Sequence, residues 1–184
     1  MEGNLVAESI AIFAGGCFWC LEPVFSQLRG VKQVVSGYIG GQVAHPTYEE
    51  VCTGTTGHAE AIKIVFDPAE IDYGVLLEVF FLAHDPTTLN RQGHDVGTQY
   101  RSAVFCQSGE QQAVLDRLLA KFASENTFGA PVVTEVNAGG EFYAAEQYHQ
   151  QYYAQHPNQP YCLAVAAPKI AKIRAKYAER IKPE

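Results

Sequence analysis

The sequence has no apolar run approaching the roughly 18 residues that a membrane-spanning helix needs. It is also short of positive charge. Thirteen Lys and Arg stand against 20 Asp and Glu, a formal net charge of −7, which argues against the basic face of a nucleic-acid binder. The basic residues between positions 169 and 182 read as the solvated side of an amphipathic helix. The N-terminal stretch MEGNLVAESIAIFAGG lacks a basic lead and a sustained apolar segment, so a secretory signal is not expected there. There are five cysteines, an odd number with no framework spacing, which favours a reducing compartment and a cytoplasmic protein. No repeat, low-complexity tract or linker breaks the chain, and one domain over residues 1–184 is expected, as a monomer. With 47% hydrophobic and 18% charged residues the composition is that of a globular protein. A chain of this length buries well over half of its unfolded surface, so folding requires neither a metal nor a disulfide.

Local pattern divides the chain into elements. Residues 10–14 form a short apolar run stopped by Gly15 and Gly16, which predicts a strand and a tight turn. Phe18, Leu21, Phe25 and Leu28 follow helical spacing, with Pro23 placed near the first turn, where a missing N–H is tolerated. Residues 31–38, 59–66, 100–106 and 132–136 read as strands, and 40–47 and 85–98 as loops. Helices are predicted over 73–84, from Ser108 to about Glu125 with Ser108 and Gln111 as a capping box, as a turn or two over 146–153, and over 168–181. The short connections and the strand pair around Gly40 favour α+β over a doubly wound sheet.

Cys17 is the first residue placed for chemistry. It follows two glycines and opens a predicted helix, where the helix dipole and free N–H groups favour a thiolate. A small buried cysteine in a tight turn is the alternative, but Cys20 supplies the Cys-x-x-Cys spacing of redox proteins and zinc sites. Zinc would need two more ligands, and the nearest, Cys52 and His58, lack paired spacing, so no metal is expected. Glu60 shares a strand face with Ile62, Ile64 and Phe66. A carboxyl on that face would be held protonated and suit a general acid, unless the strand end opens to water. Trp19 falls off the apolar stripe of its helix and could pack a small apolar substrate group; Phe18 fits that role or the core. Tyr48 and Tyr100 bring hydroxyl donors beside loops. No histidine has a spacing that marks it as a base for Cys17.

The motifs stand in a fixed order: Gly16-Cys-Phe-Trp-Cys20, Gly37-Tyr-Ile-Gly-Gly41, Pro46-Thr-Tyr48 with Val51-Cys52, Gly57-His-Ala-Glu60, His84-Asp-Pro-Thr87, Arg91-Gln-Gly-His-Asp95, Gly97-Thr-Gln-Tyr-Arg-Ser102 and Tyr148-His-Gln150. Over roughly residues 8–162 this resembles the A-type peptide-methionine sulfoxide reductase family. The resemblance implies an α+β two-layer sandwich with a ferredoxin-like core and a mixed sheet. It implies reduction of methionine S-sulfoxide, free or in proteins, as repair of oxidative damage. Cys17 would attack the sulfoxide sulfur and become a sulfenic acid. Phe18 and Trp19 would hold the S-methyl group, Tyr48, Glu60 and Tyr100 would contact the oxygen, and Asp95 would help orient the substrate. His94 stands where many relatives have asparagine. No flavin, nicotinamide or metal is implied, and thioredoxin would return the disulfide to thiols. A thiol–disulfide oxidoreductase using Cys17 and Cys20 is the other reading of the same spacing. It would need neither a protonated Glu60 nor a methyl-sized aromatic pocket.

Two cysteines compete to resolve the sulfenic acid. Tyr161-Cys162 matches the family's C-terminal cysteine, but the residues after it, LAVAAP, carry no glycine and read as a strand leading into a helix. Cys20 lies one helical turn from Cys17, within the Cα spacing of roughly 5–6 Å that a disulfide accepts. Cys20 is therefore the expected resolver, with Cys162 as an alternative or as a relay thiol. Cys52 and Cys106 read as buried and structural.

Overall fold

A computed structural model describes residues 7–184. Its elements are β1 (Ser9–Ala14), α1 (Phe18–Ser26), β2 (Val31–Ile39), α2 (Tyr48–Cys52), β3 (Ala59–Phe66), α3 (Tyr73–Ala83), β4 (Arg91–Gln92), β5 (Asp95–Val96), β6 (Ala103–Cys106), α4 (Gly109–Glu125), β7 (Glu135–Ala138), β8 (Tyr143–Ala144), α5 (Tyr152–Gln155) and α6 (Ala167–Lys176). The main sheet runs β7-β6-β1-β3-β2-β8. Its centre, β6-β1-β3-β2, is antiparallel throughout and is fed by the βαββαβ order of a ferredoxin-like core. On the edges β8 adds antiparallel to β2, and β7 adds parallel to β6, which makes the sheet mixed.

The alternation in β1 and β3 separates two faces. Phe13, Ile62, Ile64 and Val104 point into the larger core with Leu21, Phe25, Leu76 and Phe80 of the helices, all fully buried. Ala14, Ala59, Ala61, Ala103 and Phe105 form the smaller core on the opposite face. Glu60 has the parity of Ile62, so it points to the helical side beneath the start of α1.

Several local expectations need correction. Pro23 is the sixth residue of α1, in its second turn, so the Trp19 carbonyl loses its usual helical donor. The strand expected from residue 100 begins at Ala103, because Gly97 at φ 147° leads into a 3₁₀ turn over Thr98–Tyr100. The stretch 85–98 holds the β4–β5 hairpin, and β7 lies three residues later than the 132–136 pattern indicates. Thr47 and Glu50 form a full capping box that starts the unpredicted α2. At α4 only half of the box forms. Ser108 accepts from Gln111 N, but Gln111 reaches back to Gln107 N. Residues after Cys162 form no strand; Cys162–Ala166 is a π-helical turn running into α6.

Candidate active site

Cys17 sits at the N-cap of α1, delivered by the turn that leaves β1. The two glycines before it are required by space and conformation. A Cβ on Gly15 would lie 2.8 Å from the Phe80 ring, and Gly16 has φ +94° with Gln92 packed above it. Phe18 N, in the first turn of the helix, donates to Glu60 Oε1 at 3.3 Å. That single backbone donor is a weak counterweight to burial, since Glu60 is only 1% exposed. Desolvation therefore pushes its carboxyl up to about 8, against the pull of the Phe18 N–H and with help from the Asp95 charge. Of the two readings open for Glu60, the strand end is closed to water and the carboxyl is buried.

The thiol pair departs from expectation. Burial, the hydrogen bond Cys17 gives to Cys20, and the charges of Glu60 and Cys20 raise the Cys17 thiol well above its ordinary range. Cys20 moves the opposite way, because it receives that hydrogen bond, although its own burial opposes the shift. The helix start alone does not make a thiolate at Cys17; of the two thiols, Cys20 is the more readily ionised.

Tyr48 opens α2 and Tyr100 closes the 3₁₀ turn before β6. Burial raises both phenols, and the Glu60 charge raises them further, so both remain hydroxyl donors. Tyr100 also feels the charges of Cys17 and Asp95. Asp95 is held on the hairpin, where its carboxylate accepts from Tyr161 OH at 2.5 Å.

Trp19 is not core. Its Nε1 donates to His149 Nδ1 at 3.0 Å, its ring stacks on Tyr152 at 3.8 Å and 8°, and Tyr161 meets it edge-on at 6.1 Å. Phe18 is fully buried against Tyr38 and His149, so it belongs to core and site at once. His149 and Tyr161 stood in the motifs Tyr148-His-Gln150 and Tyr161-Cys162 without a role of their own, and Glu146 and Tyr152 were missed.

The remaining cysteines separate by environment. Cys20 Sγ lies 3.7 Å from Tyr161 OH, and the Cys20 charge also raises the Cys162 thiol, after burial. Cys162, next in sequence to Tyr161, is fully buried. Cys106 is buried as expected. Cys52 is exposed, because it ends the short α2 with its side chain turned outward beside Tyr48. Buried His84 bonds Phe80 O and Ser102 Oγ and serves the fold beneath Gly15.

A sequence profile described as peptide methionine sulfoxide reductase matches residues 9–181. The chain belongs to that family. Peptide methionine sulfoxide reductase MsrA of Deinococcus radiodurans is 53% identical over 96% of this chain and 85% of its own length. The protein of that name from Chromobacterium violaceum is 55% identical over 91% and 96%. Among solved structures, the reduced form of Mxr1 from Saccharomyces cerevisiae aligns with TM-score 0.78 and 31% identity, over 86% of this chain and 91% of that one. The α+β family fold, with its ferredoxin-like centre, is the one described above. No helix among the described residues is long and apolar enough to cross a membrane.

Proposed function

We propose that this protein is a cytoplasmic peptide-methionine (S)-S-oxide reductase that repairs oxidised methionine, free or in proteins, with Cys17 as nucleophile. The observation that carries the mechanism is the buried Glu60 carboxyl, pushed up to about 8 by desolvation and bonded to the first turn of the helix that Cys17 opens. A sulfoxide sulfur is a poor electrophile until its oxygen is protonated or strongly hydrogen-bonded. Glu60 gives its proton to that oxygen while Tyr48 and Tyr100 donate hydrogen bonds to it. Cys17 sulfur attacks, and its own proton replaces the one Glu60 lost. The S–O bond of the substrate breaks as the oxygen passes to Cys17, leaving methionine and a sulfenic acid. Trp19 and Phe18 pack the methyl group, and Asp95 orients the rest of the substrate.

Cys20 then condenses with the sulfenic acid, releasing water and forming a disulfide. Cys162 serves as the thiol that passes the disulfide outward. Two electrons from a dithiol, thioredoxin in the cell, restore the thiols by exchange. Mxr1 of Saccharomyces cerevisiae has been crystallised in complex with Trx2. The test is reduction of a methionine S-sulfoxide peptide with dithiothreitol by the wild-type protein and Cys17→Ser. Turnover should vanish in the variant. Protein disulfide reduction without sulfoxide turnover would assign the pair to thiol–disulfide exchange instead.

A further inference from the structure

Glu146 divides one carboxylate between two elements of the site. Oε1 accepts from Tyr38 OH at 2.9 Å, and Oε2 accepts from Tyr48 N at 3.0 Å. Tyr38 lies directly opposite Glu60 in the β2–β3 ladder, so the first bond ends beside the buried acid. The second ends on the backbone of the residue whose hydroxyl faces the sulfoxide oxygen. Three residues on, His149 packs its ring 4.4 Å from Tyr48 and accepts the Trp19 indole N–H. One 3₁₀ turn, Gln147–His149, and the residue before it thereby set both the oxygen side and the methyl side of the pocket.

The chemistry of the two partners explains the residue type. Tyr38 O–H and Tyr48 N–H are both donors, and only a carboxylate offers two acceptor oxygens with no donor of its own. A glutamine would satisfy one partner and press its NH₂ against the other. Hydrogen bonds from Tyr48 N–H and Tyr38 O–H hold the Glu146 carboxyl below its ordinary value despite partial burial, so it stays ionised while Glu60 stays neutral.

We propose that Glu146 is a positioning residue for sulfoxide reduction, acting on the substrate oxygen through Tyr48. The inference rests on the reductase function proposed above. Glu146→Gln should lower kcat/KM for an N-acetylated methionine S-sulfoxide by about tenfold, the scale of one charge-assisted hydrogen bond. The deciding measurement is a double-mutant cycle with Tyr48→Phe, read as the single-turnover rate of methionine release. If Glu146 works through the Tyr48 hydroxyl, the double variant falls no more than about twofold below Tyr48→Phe alone. Losses that multiply, or a Glu146→Gln protein with wild-type rates, overturn the proposal. Should Glu146→Gln fail to fold, Tyr38→Phe removes one of the two bonds, and the same cycle applies with an expected loss of about threefold. Alkylation of Cys17 by iodoacetamide should proceed at the wild-type rate in every variant. Absence of sulfoxide turnover in the wild-type protein would instead refute the reductase reading, a result distinct from any outcome of the cycle.

Discussion

Replacing Glu60 by glutamine should slow the protein severely and, at neutral pH, make it more stable. The carboxyl has 1% of its surface exposed and, among the described residues, one backbone donor and no cationic partner. Its pKa rises from the ordinary 4.5 to about 8 in the fold. For an acid held above its unfolded value, the native state keeps a proton that the unfolded chain gives up. Below the unfolded pKa both states are protonated and nothing is lost. Between 4.5 and about 8 stability falls by about 1.4 kcal/mol per pH unit, and above that window the loss is constant. At neutral pH the penalty comes to about 3 kcal/mol, an order-of-magnitude figure. Glutamine does not titrate, and its Oε1 can still accept from Phe18 N. The stability difference between Glu60→Gln and wild type should therefore be near zero at about pH 4.5 and grow to about 3 kcal/mol by about pH 7. Urea denaturation followed by fluorescence of Trp19, the one tryptophan, measures it. A difference that stays flat across this window, or a variant less stable than wild type at neutral pH, refutes the buried-acid argument. The same substitution should lower the single-turnover rate by about 10²–10⁴, the usual worth of a general acid.

Treating Cys20→Ser and Cys162→Ser with one equivalent of sulfoxide and counting thiols should show two thiols lost per turnover in Cys162→Ser. Loss of two thiols in Cys20→Ser and of only one, Cys17 held as its sulfenic acid, in Cys162→Ser would make Cys162 the resolver. Trp19→Ala should reduce kcat/KM for methyl sulfoxides about tenfold or more with a small change in stability, since the ring is clamped by His149 and Tyr152 at the edge of the core. A collapsed melting temperature with normal kinetics in the folded fraction would return Trp19 to the core. Alkylation rates against pH should report a Cys17 thiol titrating above the ordinary cysteine value in the free protein and a Cys20 thiol below it. The opposite order would remove the hydrogen bond from Cys17 to Cys20.

Local periodicity carried much of this protein. The run of alternating residues at 59–66 fixes which face Glu60 occupies, because the strand period depends on nothing outside the strand. The double glycine before Cys17, and the helical stripe after it, place Cys17 at a helix start for the same reason. The π-helical turn after Cys162 was illegible, since LAVAA suits strand and helix alike and only its packing beside α1 and α6 decides. The residues that hold the site were hidden for a different reason. Glu146 meets Tyr48 across 98 positions, Trp19 meets His149 across 130, and Asp95 meets Tyr161 across 66. Residue type and spacing therefore determined where Cys17 and Glu60 lie. Their protonation was decided by the tertiary structure alone, because a pKa depends on the water excluded and the charges brought near, and both come from chain segments far apart in sequence.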